Sequence, residues 1–374
     1  MKNSKLRVIL SFFSTITIII ALSLFVSQRF GGHTEKLYVP KQIIVTEDMT
    51  IATIANKNNQ QEELIQDALK IKDNNSKEKT LKELGISEKD ASSKIQKALN
   101  FKAEETSKNA ALIVGKFILW AIFMAIVFLL LKRSKMSPSL SKYMFLSSTL
   151  IFGVILGPEP NSMSTVKDMI SNFAIKGILF PPRIIALLVF LGIVFVANKF
   201  ICGWACQFGT LQDFIFRLNR DPKDREGIFK QYKIPFFISN TIRIVFFILF
   251  TFIAFVWSFD IVETINPFTI FKPASLTSIS IIFISLLLIS SLFIYRPWCH
   301  LFCPFGLLGW IVEKFSQYKI KVNSTTCINC KQCVKVCPSN AMKSILREDK
   351  IKPDCFSCGT CINTCPTKSI TFNK

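Results

Sequence analysis

The chain has 374 residues, of which 50% are hydrophobic and 36 are phenylalanine, and it carries 46 basic and 25 acidic residues. The apolar residues are clumped in long runs instead of recurring periodically, which indicates a membrane protein. The formal net charge of +21 lies almost wholly outside those runs, where it reflects membrane topology, so the basic composition excludes nucleic acid as a partner.

Six apolar segments are predicted to cross a bilayer, which makes the chain an α-helical integral membrane protein. Residues 8–27 and 274–295 contain no charge and are each long enough for a hydrocarbon layer of ~30 Å at ~1.5 Å per residue. The other four candidates are residues 111–131, 143–157, 184–198 and 244–259. We expect residues 1–28 to be an uncleaved transmembrane anchor, because the apolar run exceeds the ~7–15 residues of a signal peptide.

The distribution of basic residues predicts the orientation of these spans. Residues 1–7 carry three basic residues, 132–142 carry four, and 199–243 carry eight against four acids, whereas 260–273 carry one. Six spans place both termini on the same side, and the positive-inside rule makes that side cytoplasmic. We therefore expect a multi-pass protein of the inner (cytoplasmic) membrane, with residues 29–110 outside.

Those extracytoplasmic residues contain an internal repeat, in which residues 50–72 align without gaps with residues 80–102. The matched apolar positions are Ile51, Ile54, Ile65 and Leu69 in the first repeat and Leu81, Leu84, Ile95 and Leu99 in the second. Their spacing predicts two short helices per repeat, packed as a pair of helical hairpins in a small helical domain. A lysine-rich, partly disordered loop is the alternative. No catalytic residue is predicted in this domain or elsewhere.

Residues 316–374 are polar and rich in cysteine, and contain the motifs CINCKQCVKVCP and CFSCGTCINTCP. Each reads C-x2-C-x2-C-x3-C-P, in which three thiolates hold one [4Fe–4S] cube and the fourth cysteine reaches the other cube. The predicted ligands are Cys327, Cys330, Cys333 and Cys365 for one cluster, and Cys337, Cys355, Cys358 and Cys361 for the second. We predict an α+β ferredoxin domain. Zinc or disulfides are the alternatives, and the tandem spacing and a cytoplasmic location disfavour them.

The predicted membrane core, residues 111–315, contains the remaining cysteines in two C-x3-C motifs. They are Cys202, Cys206, Cys299 and Cys303. The match continues at a constant offset of 97, since Phe208, Gly209 and Leu211 recur in the second motif. If each helix continues, both thiols of a pair lie on one helical face. We predict a redox-active metal centre, either a further Fe–S cluster or copper, with four spectator thiols as the alternative.

The motifs CGWAC and CHLFCPFG, followed by the two four-cysteine motifs, give the chain a family resemblance. Roughly residues 140–374 resemble the membrane polyferredoxins typified by the NapH subunit of periplasmic nitrate reduction systems, with NosR-type and FixG-type relatives. The chain departs from that pattern at Gln207, where the family usually has proline, and in its first two spans and repeat domain.

The resemblance implies a four-span core with cytoplasmic clusters. It also implies a membrane-bound electron-transfer subunit of a quinol-linked oxidoreductase, which relays electrons between the quinone pool, or a cytoplasmic donor, and extracytoplasmic redox proteins. The FixG-type resemblance suggests an alternative, a maturation factor that supplies electrons to reduce a metal such as copper in another enzyme. A membrane anchor whose ferredoxin domain only docks partners is a third interpretation.

Overall fold

The computed structural model describes residues 2–30, 43–71, 79–106, 110–159 and 161–374, and it is mostly helical. The helices are α1 (Lys2–Phe30), α2 (Ile51–Lys57), α3 (Glu62–Leu69), α4 (Glu88–Thr106), α5 (Ala110–Lys132), α6 (Pro138–Thr149), α7 (Ser162–Lys176), α8 (Pro181–Ala197), α9 (Phe200–Trp204), α10 (Gln207–Leu218), α11 (Phe236–Trp257), α12 (Ile261–Thr264), α13 (Ser278–Ser290), α14 (Pro297–Leu301), α15 (Pro304–Glu313), α16 (Gln332–Val336), α17 (Ala341–Leu346) and α18 (Thr360–Thr364). Two strands, β1 (Lys319–Val322) and β2 (Ile370–Asn373), a π-helical segment (Leu150–Ile155) and two 3₁₀ segments (Pro267–Phe271 and Pro273–Ser275) complete the described elements.

The chain divides into two compact units. The larger comprises Met1–Gly31, Leu112–Ser171 and Pro181–Lys374, and the smaller comprises Gly32–Ala111 and Asn172–Phe180. The smaller unit includes most of the predicted repeat domain and adds a segment that the sequence prediction placed in the membrane core. The larger unit contains all twelve cysteines.

Three helices of the described chain are long and apolar enough to cross a membrane, and they lie in α1, α5 and α11. They coincide with the first, second and fifth predicted spans. The fourth and sixth predicted spans fall on α8 and α13, which are shorter apolar helices of 17 and 13 residues. The composition of the chain is that of a membrane protein, and three of the six predicted spans are helices of sufficient length to cross a bilayer.

The third predicted span, residues 143–157, is not a regular α-helix throughout. It begins in α6, continues as the π-helical segment Leu150–Ile155, and ends at Gly157, whose φ of 75° is left-handed. The ring of Phe271 packs so closely on Gly153 that a Cβ atom there would lie 2.7 Å from it. The Gln207 side chain also donates a hydrogen bond of 3.0 Å to the carbonyl of Phe152. These contacts lie where the helix widens.

The smaller unit has its own apolar core. Its buried side chains include all the matched repeat positions except Leu84, which is half-buried. The first repeat forms α2 and α3, but the second begins with the turn 81–85 instead of a helix, before α4. Gly85, at a left-handed φ of 67°, ends this turn. The second repeat therefore lacks the first of its two predicted helices, and that part of the prediction is wrong. Residues 72–78, where the first repeat ends, lie outside the described part.

The cysteine-rich segment is closed by an antiparallel pair of strands. β1 and β2 pair from Lys319 with Asn373 to Val322 with Ile370. The Phe372 side chain of β2 is buried, and its ring lies 5.5 Å from that of Phe128 in α5. The ends of the segment are thereby fixed beside a helix of the membrane core.

Candidate functional site

The eight cysteines of the ferredoxin motifs line two separate cavities. One is lined by Cys327, Cys330, Cys333 and Cys365. The other is lined by Cys337, Cys355, Cys358 and Cys361. The structure thus brings together the same two sets that the interleaved spacing predicts, with the fourth cysteine of each motif at the other motif's cavity. Binding by these residues stays a prediction.

Left-handed residues at matched positions shape the two cysteine loops. Asn329 and Lys331 in the first loop, and Ser357 and Gly359 in the second, all have φ between 50° and 78°. The loops lead into α16 and α18, each of which carries the third cysteine of its motif and ends at the fourth. The backbone thus reverses direction within each loop, so that three thiols three to six residues apart face one cavity.

Backbone N–H groups point at the sulfur atoms of the second cavity. Burial raises the pKa of the Cys337 and Cys355 thiols. Hydrogen bonds from the N–H of Met342 to Cys337, and from the N–H of Ser357 to Cys355, partly offset that increase in pKa. Iron binds the thiolate, so these donors would also stabilise the negative charge of a bound cluster.

The donor sets fit [4Fe–4S] clusters. Each cavity presents four thiols, and each thiolate of a cube binds a different iron, so the sulfur atoms need not meet at one point. Within the described ranges, no three His, Cys, Asp or Glu side chains are arranged to bind one metal ion. A cluster bound in either cavity would supply a one-electron redox centre.

The two C-x3-C motifs of the membrane core fold in the same way. In each, a short helix (α9 or α14) contains the first cysteine, the second is extended, and a longer helix (α10 or α15) follows. The helix does not continue through either motif, so the condition under which both thiols of a pair would share one helical face is not met. Pro304 disfavours a helical conformation for Cys303, and Cys206 adopts the same conformation before Gln207.

The structure nevertheless brings all four of these thiols close together. Burial raises the pKa of Cys299 well above its ordinary value, and the neighbouring thiols of Cys303, Cys206 and Cys202 raise it further. Cys303 Sγ also accepts a hydrogen bond of 3.4 Å from the N–H of Gly306. Their proximity follows from the packing of the two matched motifs against each other and not from helical periodicity.

A buried arginine supports the first motif. Arg296 donates hydrogen bonds to the carbonyl oxygens of Cys202 and Gly203, and it forms an ion pair with Asp213. The hydroxyl of Tyr295 donates to the same carboxylate at 2.7 Å. Gly209 leaves room for this arrangement, because a Cβ atom there would lie 3.2 Å from the Arg296 guanidinium.

A second buried arginine supports the other motif in the same way. Arg243 donates to the carbonyl oxygens of Cys299 and Gly306, at 3.4 Å and 3.2 Å, and pairs with Asp354 at 3.0 Å. Lys199 also pairs with Asp354 and donates to Gly306. Asp354 immediately precedes Cys355, so this charge cluster joins the membrane-core cysteines to the loop of the second cavity.

Apolar and backbone contacts complete this junction. The Arg296 guanidinium lies 4.7 Å from the centre of the Phe356 ring. A Cβ atom on Gly203 would lie 2.2 Å from the Phe356 carbonyl oxygen, so only glycine fits there. Trp204 Nε1 donates a hydrogen bond of 3.1 Å to Ser357 O. The loop between Cys355 and Cys358 therefore packs directly on the first membrane-core motif.

The sequence prediction missed the charged residues of this junction. The signal was present in part, because Asp213 interrupts an apolar run and Arg243 lies at the edge of a predicted span. Charges at such positions are usually assigned to membrane topology. Their partners are distant in sequence, so no local pattern predicts the ion pairs.

Comparisons with known families match the cysteine-bearing segments. The family described as "4Fe-4S binding domain" matches residues 179–223 and 276–323, each of which contains one C-x3-C motif. The family described as "4Fe-4S dicluster domain" matches residues 326–370, which contain all eight ferredoxin-motif cysteines. The chain therefore carries 4Fe–4S ferredoxin-type domains and binds [4Fe–4S] clusters.

Three curated proteins are similar to part of the chain. "Putative electron transport protein YccM" of Escherichia coli is 30% identical over 166 residues, 41% of this chain and 45% of that protein. Two uncharacterized proteins of Methanocaldococcus jannaschii are 26% identical over 158 and 176 residues. These alignments cover 41% and 46% of this chain, and 57% and 71% of the respective relatives. The chain thus spans about half the length of the first two relatives. No solved structure matches the chain.

Proposed function

We propose that the protein is an integral-membrane iron–sulfur electron-transfer protein. The observation that carries this proposal is the pair of cavities, each lined by four cysteines from both motifs. Cys327, Cys330, Cys333 and Cys365 hold one cluster, and Cys337, Cys355, Cys358 and Cys361 hold the other. A relative named as an electron transport protein supports a relay, and two cubes in one small domain exchange electrons readily.

A third redox centre at Cys202, Cys206, Cys299 and Cys303 extends the relay into the membrane core. Two observations support it: the four buried or half-buried thiols are mutual neighbours, and both segments match a 4Fe–4S binding domain. The second favours a further [4Fe–4S] cluster over copper. The junction through Asp354 and Phe356 would couple this centre to the second ferredoxin cluster.

The proposed arrangement has six spans. Three are the long helices α1, α5 and α11, and the other three are the shorter or irregular apolar segments that contain α6, α8 and α13. Residues 1–28 form the anchor, 29–110 the extracytoplasmic domain, 111–315 the membrane core and 316–374 a cytoplasmic α+β ferredoxin domain. The charge bias of the loops supports this orientation in the inner membrane.

The proposed role is NapH-like, with electrons passing between the quinone pool, or a cytoplasmic donor, and extracytoplasmic redox partners. The second candidate is a FixG-like or NosR-like maturation factor that reduces copper for another enzyme. The thiols of the membrane core are the chemical basis of that candidate, because reduced copper prefers soft thiolate ligands. In the described part of the chain, however, they are not arranged around the position of one metal ion.

Membrane vesicles of opposite orientation test the relay and its topology together. In inverted vesicles, a membrane-impermeant photoreductant should reduce the clusters, and a lipid-soluble quinone should then reoxidise them. In right-side-out vesicles the same reductant should leave the clusters oxidised, because the ferredoxin domain faces the lumen. The measurement is the absorbance of the clusters under anaerobic conditions.

Vesicles opened with detergent are the control, since both preparations should then be reduced equally. Reduction in right-side-out vesicles alone would contradict the orientation. Clusters that are reoxidised by a Cu(II) complex, but not by quinone, would select the maturation role over the quinone-linked relay.

A further inference from the structure

A wide cleft lies between the ferredoxin domain and the end of α15, beside both cluster cavities. It has a volume of about 830 Å³ and is bordered by the end of α15, by β1 and by the segment 345–353. Cys327 of the first cysteine set and Cys355 of the second both line it. A molecule bound here would therefore lie next to a ligand of each proposed cluster.

The cleft is lined by more basic than acidic residues. Five exposed lysines line it: Lys314, Lys319, Lys321, Lys350 and Lys352. Three acidic residues also line it, Glu313, Glu348 and Asp349. Among the described residues, no carboxylate lies within ion-pair distance of any of the five lysines, whereas Lys335 of the same domain pairs with Glu226 at 3.0 Å. Lys314 Nζ lies 4.1 Å from the centre of the Trp310 ring, and none of the five ammonium groups has a carboxylate partner in the described part of the chain. The excess of positive over negative side chains favours an anionic partner.

Three exposed apolar side chains are neighbours in sequence of residues that line the cleft. From residue 314 to 374, the exposed large apolar residues are Phe315, Ile328 and Ile351, with exposures of 68%, 65% and 62%. Each is adjacent in sequence to a residue that lines the cleft. Exposed apolar side chains next to polar residues are a feature of surfaces that bind other proteins.

We propose that this cleft is the docking site for an acidic one-electron carrier protein. The proposal rests on the relay function, and it identifies the face through which a soluble partner exchanges electrons with the clusters. One electron passes from the reduced carrier to a cluster, so that the carrier is oxidised and the cluster is reduced. No bond is made or broken, and no proton is transferred.

A small anionic ligand fits these observations less well. Pockets for small molecules are mostly apolar and enclosed, with a few fixed polar groups that converge on the ligand. Here the charged groups lie on flexible, exposed side chains spread over three segments, and the apolar residues face solvent. A carrier with a complementary acidic surface would contact both kinds of residue at once.

The test uses the full-length protein in detergent and a reduced, acidic plant-type [2Fe–2S] ferredoxin as the probe. Stopped-flow absorbance gives the second-order rate of cluster reduction. We expect K319E with K321E, and separately K350E with K352E, to lower this rate about 10- to 100-fold at low ionic strength. The parent rate should fall as salt is added, because screening weakens the attraction.

The matched control is K343E with K374E, which changes the charge of the same domain by the same amount at exposed lysines outside the cleft. We expect its rate to stay within about threefold of the parent. Equal slowing in the cleft and control variants would overturn the proposal. So would an effect of the cleft variants that appears only in vesicles of anionic lipid, because the basic face would then bind the membrane surface.

Photoreduction by a neutral deazaflavin separates this proposal from the relay itself. All variants should be photoreduced at the parent rate. If the parent is photoreduced but accepts no electrons from the ferredoxin, the docking site is wrong and the relay stands. If no cluster can be photoreduced, the relay function itself fails.

Discussion

Replacing Cys365 with alanine is expected to remove the cluster of the other motif. Cys365 lies four residues after Cys361, but its side chain lines the cavity of Cys327, Cys330 and Cys333. The variant should lose about four iron atoms per chain, and the reduced protein should lose the spectral interaction between two cubes. Iron analysis and electron paramagnetic resonance of the purified full-length protein give both results.

Double substitutions show which cluster is lost. C365A with C330A should lose no more iron than either change alone, because both residues serve one cluster. C365A with C358A should lose about eight iron atoms, because the two residues serve different clusters. The opposite pattern would show that each motif holds its own cube and that the interleaved arrangement is incorrect.

Replacing Asp354 with alanine is expected to destabilise the junction between the ferredoxin domain and the membrane core. The carboxylate is 1% exposed and pairs with both Lys199 and Arg243, which the variant leaves buried without an ion-pair partner. Removing one partner of a buried ion pair costs roughly 3–5 kcal/mol. The transition at which heating releases the clusters should therefore shift to lower temperature, as absorbance will show.

The control is E348A, an exposed residue on the same segment, which should change stability by no more than about 0.5 kcal/mol. D354N should be milder than D354A, since an amide oxygen can still accept hydrogen bonds. Equal transitions for D354A and the parent would show that the two cations do not depend on this carboxylate.

The same carboxylate predicts the sign of a pH effect. Burial alone would raise the pKa of Asp354, but Arg243 and Lys199 hold that pKa well below its usual value. A carboxyl group whose pKa is lowered in the folded state stabilises the protein at pH values above the pKa of the unfolded state, about 3.9. That contribution is lost as the pH falls from there through the pKa of the folded state. The difference in stability between the parent and D354A should therefore be present at neutral pH and shrink in acid.

The cysteine arrangement follows from the sequence because its determinants are local. Each ferredoxin motif contains, within eleven residues, its three convergent thiols, the two left-handed turn positions and the fourth cysteine at the end of a short helix. The duplicated C-x3-C motifs likewise predicted that Cys202, Cys206, Cys299 and Cys303 lie near one another. The shared helical face, which required a continuous helix, does not form, because the second cysteine of each pair adopts an extended conformation.

The junction could not be predicted from the sequence, because its contacts depend on tertiary packing. Arg243 and Asp354 are 111 residues apart, and Lys199 and Asp354 are 155 apart. In an apolar chain, isolated charged residues such as Lys199 and Arg243 are usually interpreted as the ends of membrane spans. The turn in the second repeat was missed for a different reason, since Gly85 outweighs the apolar spacing that favoured a helix.

The central claim is tested most directly by metal analysis combined with electron paramagnetic resonance. Both are applied to anaerobically purified parent protein and to the double variant C299S/C303S. The parent should contain roughly twelve iron atoms per chain and, when reduced, give the spectrum of interacting [4Fe–4S] centres. The variant should keep about eight iron atoms and the spectrum of the two ferredoxin clusters. Copper in place of the four additional iron atoms would assign the membrane-core thiols to the maturation role. A parent that contains about one zinc ion per four cysteines, with no reduced-cluster signal, would contradict the account.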